Sequence, residues 1–482
     1  MAEQYTAIVV GTGFASTFFL HRLLDGLAPN SRILVLEAGQ RHPHRWQLNH
    51  PNALSKIARP TFINRTPKKP WVVQRAFGGG SNCWWACTPR LLPNDFRLQS
   101  AYGVARDWPV SYDALEESYC DAEALMDVAG PSDDSPFPRS RPYPLPPHTM
   151  SDPDLLLKRA FPDSFFAQPT ARPSRAVADK RPRCCNSGVC HLCPIDSKFT
   201  IENSMRHVYE DPRVSLEFDA LVQRVDIQNG VATGVEFVRD GREHRVSGDL
   251  VALGASAIFN PHILLQSGFS EHALGRNLHE QTSIKANVLL DGVDNFQGST
   301  SITGHGYMLY DGPHRKDRPA MLIETWNVPR LRDERGKWRQ LIKLMCIIEE
   351  YPNEQSRVTV AKEDPTRPAV SFAGRGQDTA KAVAALKTEL PKLMSKLPIE
   401  DIIIANSFKE TDAHVLGTAA MGDDPTSSVV DRHLIHHQVR NLMVLGGSAF
   451  PTSSPANPTL TIAALSLWAA NHLNHSRAGD TT

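Results

Sequence analysis

Tyr5-Thr6-Ala7-Ile8-Val9-Val10-Gly11-Thr12-Gly13-Phe14-Ala15-Ser16 opens the chain. Its first six residues form a short β-rich run suited to a buried parallel strand. Two glycines follow, then an apolar helical stretch from Phe18 to Leu27. A second strand, Ile33 to Leu36, ends at Glu37-Ala38-Gly39. Gly11 permits a tight turn, and Gly13 lets a pyrophosphate approach the N-terminus of the helix. Ser16 stands where a third glycine is usual and is small enough for close helix–strand packing. Glu37 can accept hydrogen bonds from ribose hydroxyls. A glycine pattern alone is a weak signal, but strand, helix and acid in register point to dinucleotide binding. An ordinary βα turn would not require Glu37.

Around this unit the chain is long enough, at 482 residues, for two domains or one elaborated α/β domain. Apolar residues make up 41% and charged residues 22%, as in a soluble globular protein. Lys plus Arg and Asp plus Glu are 52 each, so no net field draws in nucleic acid or an anionic membrane. The most apolar run, Leu460 to Leu473, is broken by Ser466, Asn471 and His472, so no membrane span is expected. The first strand begins at Tyr5 and leaves no room for a signal peptide ahead of it. A cytoplasmic protein is therefore expected, or one co-exported with a signal-bearing partner.

Phe77-Gly78-Gly79-Gly80-Ser81-Asn82-Cys83-Trp84-Trp85 offers three glycines for close approach to a planar or phosphate-bearing ligand. The two tryptophans after them argue for burial rather than a flexible surface loop. Ser111 is placed to cap a helix whose Leu115, Tyr119, Ala122 and Met126 share one face. Residues 130–150 are rich in proline and serine and read as irregular. Leu221 to Val225 and Gly234 to Val238 form a hairpin turning at Asn229-Gly230. Leu250 to Leu253 is a strand, and Asn441 to Val444 another that runs into Gly446-Gly447. Strand-like runs such as Ile284 to Leu290 and Arg357 to Val360, with a helix near 380–397, suggest a separate substrate domain. The expected division is dinucleotide binding in 1–150, a cysteine-bearing excursion in 151–200, and more dinucleotide binding in 201–283. A substrate domain fills 284–408, and 409–482 returns to the nucleotide fold.

Two groups in the last part look chosen for chemistry. His414 precedes Gly417-Thr418, and Asn457 sits before Pro458-Thr459. An imidazole can take a hydroxyl proton near neutral pH, since its unperturbed pKa is about 6.5. A neutral amide can orient the same hydroxyl without competing for the proton. Nineteen histidines occur, and most histidines are structural. His433, His436 and His437 are expected on a solvated turn. Asn457 can also serve as a helix-capping amide.

In order along the chain, these stretches resemble the glucose-methanol-choline (GMC) oxidoreductases, flavoproteins that oxidise alcohols. The marks are Val9-Val10-Gly11-Thr12-Gly13, Leu36-Glu37-Ala38-Gly39, Gly79-Gly80-Ser81-Asn82 and Trp108-Pro109-Val110-Ser111-Tyr112. Further on come Leu274-Gly275-Arg276-Asn277-Leu278, His414 with Gly417-Thr418, Met421-Gly422, and Asn457-Pro458-Thr459-Leu460-Thr461. The branch most similar in shape holds pyranose-oxidase-like enzymes and FAD sugar dehydrogenases. The resemblance implies an α/β fold, a Rossmann-like FAD-binding domain with an interleaved α+β substrate-binding domain. It implies FAD held by Gly11, Gly13, Phe14, Ala15, Ser16, Glu37 and Ala38 at its ADP half. Gly79, Gly80, Ser81, Asn82, Trp85, Val222, Ala255, Gly447, Asn457 and Thr459 complete the cofactor site. Some relatives attach FAD through a loop histidine; the equivalent position here is Cys83, so dissociable FAD is expected. Ala419-Ala420 replaces bulkier residues before Met421-Gly422. The substrate implied is a sugar, polyol or other alcohol, with His414 as base and hydride transfer to flavin N5.

The cluster Cys184-Cys185-Asn186-Ser187-Gly188-Val189-Cys190-His191-Leu192-Cys193-Pro194 holds four of the eight cysteines. It is open to four readings: an iron–sulfur cluster on Cys184, Cys185, Cys190 and Cys193, a zinc site, a redox disulfide, or plain packing. Cys190-x2-Cys193-Pro194 resembles iron–sulfur ligation, and the adjacent pair Cys184-Cys185 is awkward for tetrahedral zinc. A small or electron-accepting partner subunit would then take the electrons. Two other functions stay open on sequence: a non-catalytic flavin electron-transfer or scaffold subunit, and an NAD-dependent dehydrogenase.

Overall fold

A computed structural model describes residues 4–328 and 330–479. The first apolar run forms the strand Ala7–Val10, with all four residues buried, and the second forms Ile33–Leu36, also buried throughout. Such unbroken burial marks strands covered on both faces. They lie in a six-stranded sheet ordered Ile435–His436, Val439–Val444, Val251–Leu253, Ala7–Val10, Ile33–Leu36 and Val214–Glu217. Every pairing is parallel except the first. The helices Phe14–Asp25 and Thr459–Gly479 pack together beside this sheet, and Tyr112–Leu125 packs on the latter. Tyr119 OH and Thr461 Oγ1, 2.8 Å apart, join those last two.

A second six-stranded sheet is wholly antiparallel and carries its own apolar core. Its order is Ile399–Phe408, Thr282–Leu290, Leu341–Ile348, Met321–Trp326, Ile302–Gly306 and Phe165–Ala167. The helix Gln377–Met394 covers it with a stripe of Ala382, Leu386, Leu390 and Met394, all fully buried. The edge strand Phe165–Ala167 comes from the cysteine-bearing segment, so that segment is stitched into this second sheet.

Local chemistry explains most element boundaries. The first helix begins at Phe14, four residues before the apolar stretch suggests. Ser16 Oγ and Thr17 Oγ1 donate to Val10 O at 3.0 Å and Thr12 O at 3.1 Å, which satisfies two hydroxyls in its buried first turn. The hairpin strands Leu221–Gln228 and Val231–Arg239 turn where expected, with φ of 52° at Asn229 and 71° at Gly230. Two successive positive φ angles are what a two-residue hairpin turn demands. Ser111 Oγ caps its helix, accepting from Ala114 N–H at 3.2 Å. The expected solvated turn of histidines is corrected by the structure. His436 is buried, with Nε2 3.3 Å from Glu271 and its ring 4.3 Å from that of Phe269, while His433 stacks on His472 at 3.6 Å. The strand pair Ile435–His436 and Val439–Val444 draws that turn into the sheet.

Candidate active site

One cavity of about 840 Å³ runs from the C-terminal ends of the parallel strands into the face of the antiparallel sheet. Val10, Gly11, Leu36, Glu37, Gly254, Ala255, Gly446 and Gly447 line it at the strand ends, where open α/β sheets bind ligands. Gly11 has φ +87°, and a Cβ there would meet Gly254 O at 2.8 Å, so the turn admits only glycine. At Gly13 and Gly80 a Cβ would project into open space, the volume a ligand needs for close backbone approach.

Glu37 is buried at the second strand's end. Its Oε2 accepts from Thr12 N–H at 3.1 Å and Thr12 Oγ1–H at 2.7 Å, and Oε1 from Gly39 N–H at 2.8 Å. Burial raises its pKa above the ordinary carboxylate value despite these donors. Thr12 Oγ1 in turn accepts from Gly78 N–H at 3.0 Å, tying the first glycine turn to the second.

Of the residues expected to hold the cofactor, Gly11, Gly13, Phe14, Ala15, Glu37, Ala38, Gly79, Gly80, Trp85, Val222, Ala255, Gly447, Asn457 and Thr459 line this cavity. The side chains of Ser16, Ser81 and Asn82 are engaged behind it. Ser16 packs against Gly254, where a Cβ would come within 2.0 Å of its Oγ. Ser81 Oγ donates to Gly78 O at 2.7 Å and accepts from Ile201 N–H at 3.1 Å. Asn82 Nδ2 donates to Phe77 O at 2.9 Å and Gly79 O at 3.0 Å, shaping the glycine loop from within. Trp84 and Trp85 are half-buried because their rings form cavity wall.

His414 and Asn457 line the same cavity. The His414 segment is clamped from both sides. Leu416 and His279 exchange backbone hydrogen bonds at 2.9 and 3.0 Å, and Gly417 N–H donates to Gly447 O at 2.9 Å. Gly417, at φ +80°, leaves no room for a side chain, since a Cβ would lie 2.1 Å from Asn277 O. Ala413 sits at φ 63°, a left-handed conformation uncommon for a residue with a side chain. Glu280 Oε2 accepts from His414 N–H at 3.2 Å and from Thr411 Oγ1–H at 3.0 Å, and its other oxygen pairs with buried Lys69. His414 Nδ1 lies 2.8 Å from Gln281 Oε1. The ring opens onto the cavity but is screened from bulk water, and burial lowers its pKa to about 4. Asp412 and Glu324 oppose that shift and Lys409 adds to it. The Oδ1 of Asn457 is buried with no hydrogen-bond partner among the described residues.

Opposite lies a wall from the antiparallel sheet. Trp326 stands 4.8 Å from Trp85, ring to ring, and donates its Nε1–H to Glu324 Oε2 at 2.9 Å. Burial alone would raise the Glu324 pKa, but His305, 3.4 Å away, and the Trp326 donor hold it below the ordinary value. Sequence reading missed Glu280, Gln281, Glu324 and Trp326. Glu280 and Gln281 do lie just after Leu274-Gly275-Arg276-Asn277-Leu278, a nearby signal in the sequence.

The four clustered cysteines do not converge. Cys190 Sγ contacts Ser301 Oγ at 3.1 Å, Cys184 Sγ lies 3.5 Å from Thr300 Oγ1, and Cys193 Sγ accepts from Ser197 N–H at 3.3 Å. Cys185 is exposed, and all eight cysteines are free. Among the described residues no three His, Cys, Asp or Glu side chains are grouped to hold a metal ion. Nor is any described helix long and apolar enough to cross a membrane.

Two models of the GMC oxidoreductase family match the chain, at residues 168–283 and 352–466. The fructose dehydrogenase large subunit of Gluconobacter japonicus is 25% identical, over 96% of this chain and 96% of that one. Paromamine 6'-oxidase of Streptomyces fradiae is 24% identical over 83% of this chain and 78% of its own length. In fold, the chain superposes on pyridoxine 4-oxidase from Mesorbium loti with a TM-score of 0.68 and 16% identity, covering 98% and 99% of the two chains.

Proposed function

The chain belongs to the GMC oxidoreductases and is an FAD-dependent alcohol or sugar oxidoreductase, and on that premise we propose that it oxidises a ring or chain CH–OH group of a sugar or polyol, with His414 as the base. The observation that carries this reading is that His414 and Asn457 open onto one cavity with the glycine turns at the strand ends. The residues present fit FAD. Gly13 and Gly80 leave open space where a side chain would intrude, and the Asn457 carboxamide keeps an acceptor without a partner. When bound, FAD supplies the acceptor, flavin N5, for the hydride leaving the substrate carbon.

The chain's own residues then have separate tasks. His414, kept neutral by burial, has a ring nitrogen free for the hydroxyl proton, though the same burial makes it a weaker base than a free imidazole. The Asn457 amide hydrogen-bonds the same hydroxyl and sets its angle, where about 1 Å of misplacement costs on the order of 100-fold in rate. Trp85 and Trp326 give flat apolar faces and Glu324 an acceptor, a combination suited to a polyhydroxylated ring. A dissociable cofactor is part of the reading. Cys83 lines the cavity, but burial raises its pKa and keeps the thiol a poor nucleophile.

His414→Ala should retain FAD while slowing anaerobic flavin reduction by about 100-fold or more. An unchanged reduction rate would remove His414 as the base. Replacing Asn457 by Asp should also slow reduction, since a carboxylate opposes hydride arrival at a ring that becomes anionic.

The thiols of Cys184, Cys190 and Cys193 are held by separate hydrogen bonds and Cys185 is exposed, so the four do not fit an iron–sulfur cluster as they stand, and no electron step is routed through one. An electron-accepting partner chain is the corresponding proposal for the reduced enzyme. It is supported by the relative named as a large subunit.

A further inference from the structure

We propose that Gln281 is a positioning residue that fixes His414 in the tautomer with its proton on Nδ1, leaving Nε2 as the basic nitrogen, and that it locks the His414 ring to the turn carrying Asn457. This rests on the reading of His414 as the base, and deepens it. The argument begins with the amide, not the imidazole. Gln281 Nε2 lies 2.7 Å from Ser454 O and 2.8 Å from Ala456 O. Both are backbone carbonyls and can only accept, so the nitrogen end of the amide must face them and both its hydrogens are used there. Flipping the amide would set its oxygen against two carbonyl oxygens, so the network fixes the orientation.

Oε1 therefore faces His414 Nδ1, at 2.8 Å. That oxygen carries no hydrogen, so the contact is a hydrogen bond only if Nδ1–H donates. A neutral imidazole has one donor nitrogen and one acceptor nitrogen. With Nδ1 protonated, the lone pair belongs to Nε2, the only ring nitrogen left to take a proton. Gln281 is itself 2% exposed, so water does not compete for either end of its amide.

The same side chain has a second consequence. Ser454 and Ala456 shape the turn immediately before Asn457, and Ala456 N–H is held by Ser454 Oγ at 3.1 Å. One amide thus spans from the imidazole to that turn, coupling the position of the proton acceptor to that of the orienting carboxamide.

The test joins a ring-nitrogen readout to kinetics. In cofactor-free wild-type protein with 15N-labelled histidine, the His414 signals, assigned by their loss in His414→Gln, should show a protonated Nδ1 and an unprotonated Nε2 at pH 7. The opposite tautomer, or an even mixture, overturns the proposal whatever the base proves to be. Gln281→Leu and Gln281→Glu both lose the two carbonyl contacts, but only the second sets a charge beside Nδ1. In the FAD-loaded enzyme, Gln281→Leu should slow flavin reduction about 10-fold or more at saturating substrate, with a smaller change in KM. Gln281→Glu should move the acid limb of the pH–rate profile upward by about one unit or more. Wild-type rates in Gln281→Leu, or an unmoved acid limb in Gln281→Glu, overturn the positioning role. If His414→Ala reduces flavin at the wild-type rate, the base reading fails, and the nitrogen signals still decide the tautomer.

Discussion

Lys69 and Glu280 form an ion pair almost wholly removed from water, and the carboxylate that neutralises the lysine also carries the backbone of the His414 turn. Lys69 lies 4.6 Å from the ring centre of Trp71, and burial lowers its pKa to about 8. Removing one partner of such a pair leaves an uncompensated buried charge. Glu280→Ala should therefore cost about 3–5 kcal/mol of stability in denaturant unfolding. The double variant Lys69→Met, Glu280→Gln should recover much of that loss. Equal destabilisation in single and double variants would show that the pair is not the source.

Stability should fall in acid through histidines that are buried neutral. Burial lowers the pKa of both His148 and His279 to about 4. In the unfolded chain each titrates near 6.5, so between about pH 6.5 and 4 the unfolded state binds protons that the native state refuses. Stability is full above pH 6.5 and drops as pH falls through that window, by up to roughly 3 kcal/mol per histidine. Replacing His279 by Gln should flatten the pH dependence of the unfolding midpoint over this range; an unchanged slope would acquit it.

Glu37→Ala should weaken FAD binding while leaving the parallel sheet intact. The carboxylate lies at the strand end, with capacity beyond the three hydrogen bonds it accepts from Thr12 and Gly39. A lost charge-assisted contact is worth roughly 1.5–3 kcal/mol. Exhaustive dialysis followed by flavin absorbance reads the effect, and full occupancy in the variant would disqualify Glu37 as the ribose acceptor.

FAD should leave with the supernatant when the protein is precipitated with acid. Cys83, on the cavity wall, has a thiol that burial keeps protonated. A pellet that stays yellow would show that the flavin is covalently attached and overturn the expectation.

Much of the nucleotide end was legible in the sequence because its signals are local. Gly11, Gly13 and Glu37 fall within 27 positions and obey the geometry of one βαβ unit. The Asn229-Gly230 turn and the Ser111 cap were legible for the same reason. What escaped was tertiary. Gln281 meets His414 across 133 positions, and no periodicity announces that a polar pair so far apart shares a site. Glu324 and Trp326 lie in the strand Met321–Trp326, buried along all but its last residue, and nothing local announces that one end opens onto a cavity. The histidines near 436 failed differently. Polar composition suggested solvent, but pairing with Val439–Val444 carried His436 into the interior.

The parallel sheet has a consequence for how the chain comes into being. Its strand Val251–Leu253 stands between Ala7–Val10 and Val439–Val444, so neighbours in space are made far apart in synthesis. The nascent chain can pair its first strands early, but Gly446, Gly447 and Asn457, which complete the lining of the nucleotide cleft, are made long after them. Until then an apolar sheet edge stays open, which is the condition under which long-range topologies fold slowly and aggregate. Cofactor loading is thus a late event by construction, and a supply of FAD during expression should act on yield as well as on activity.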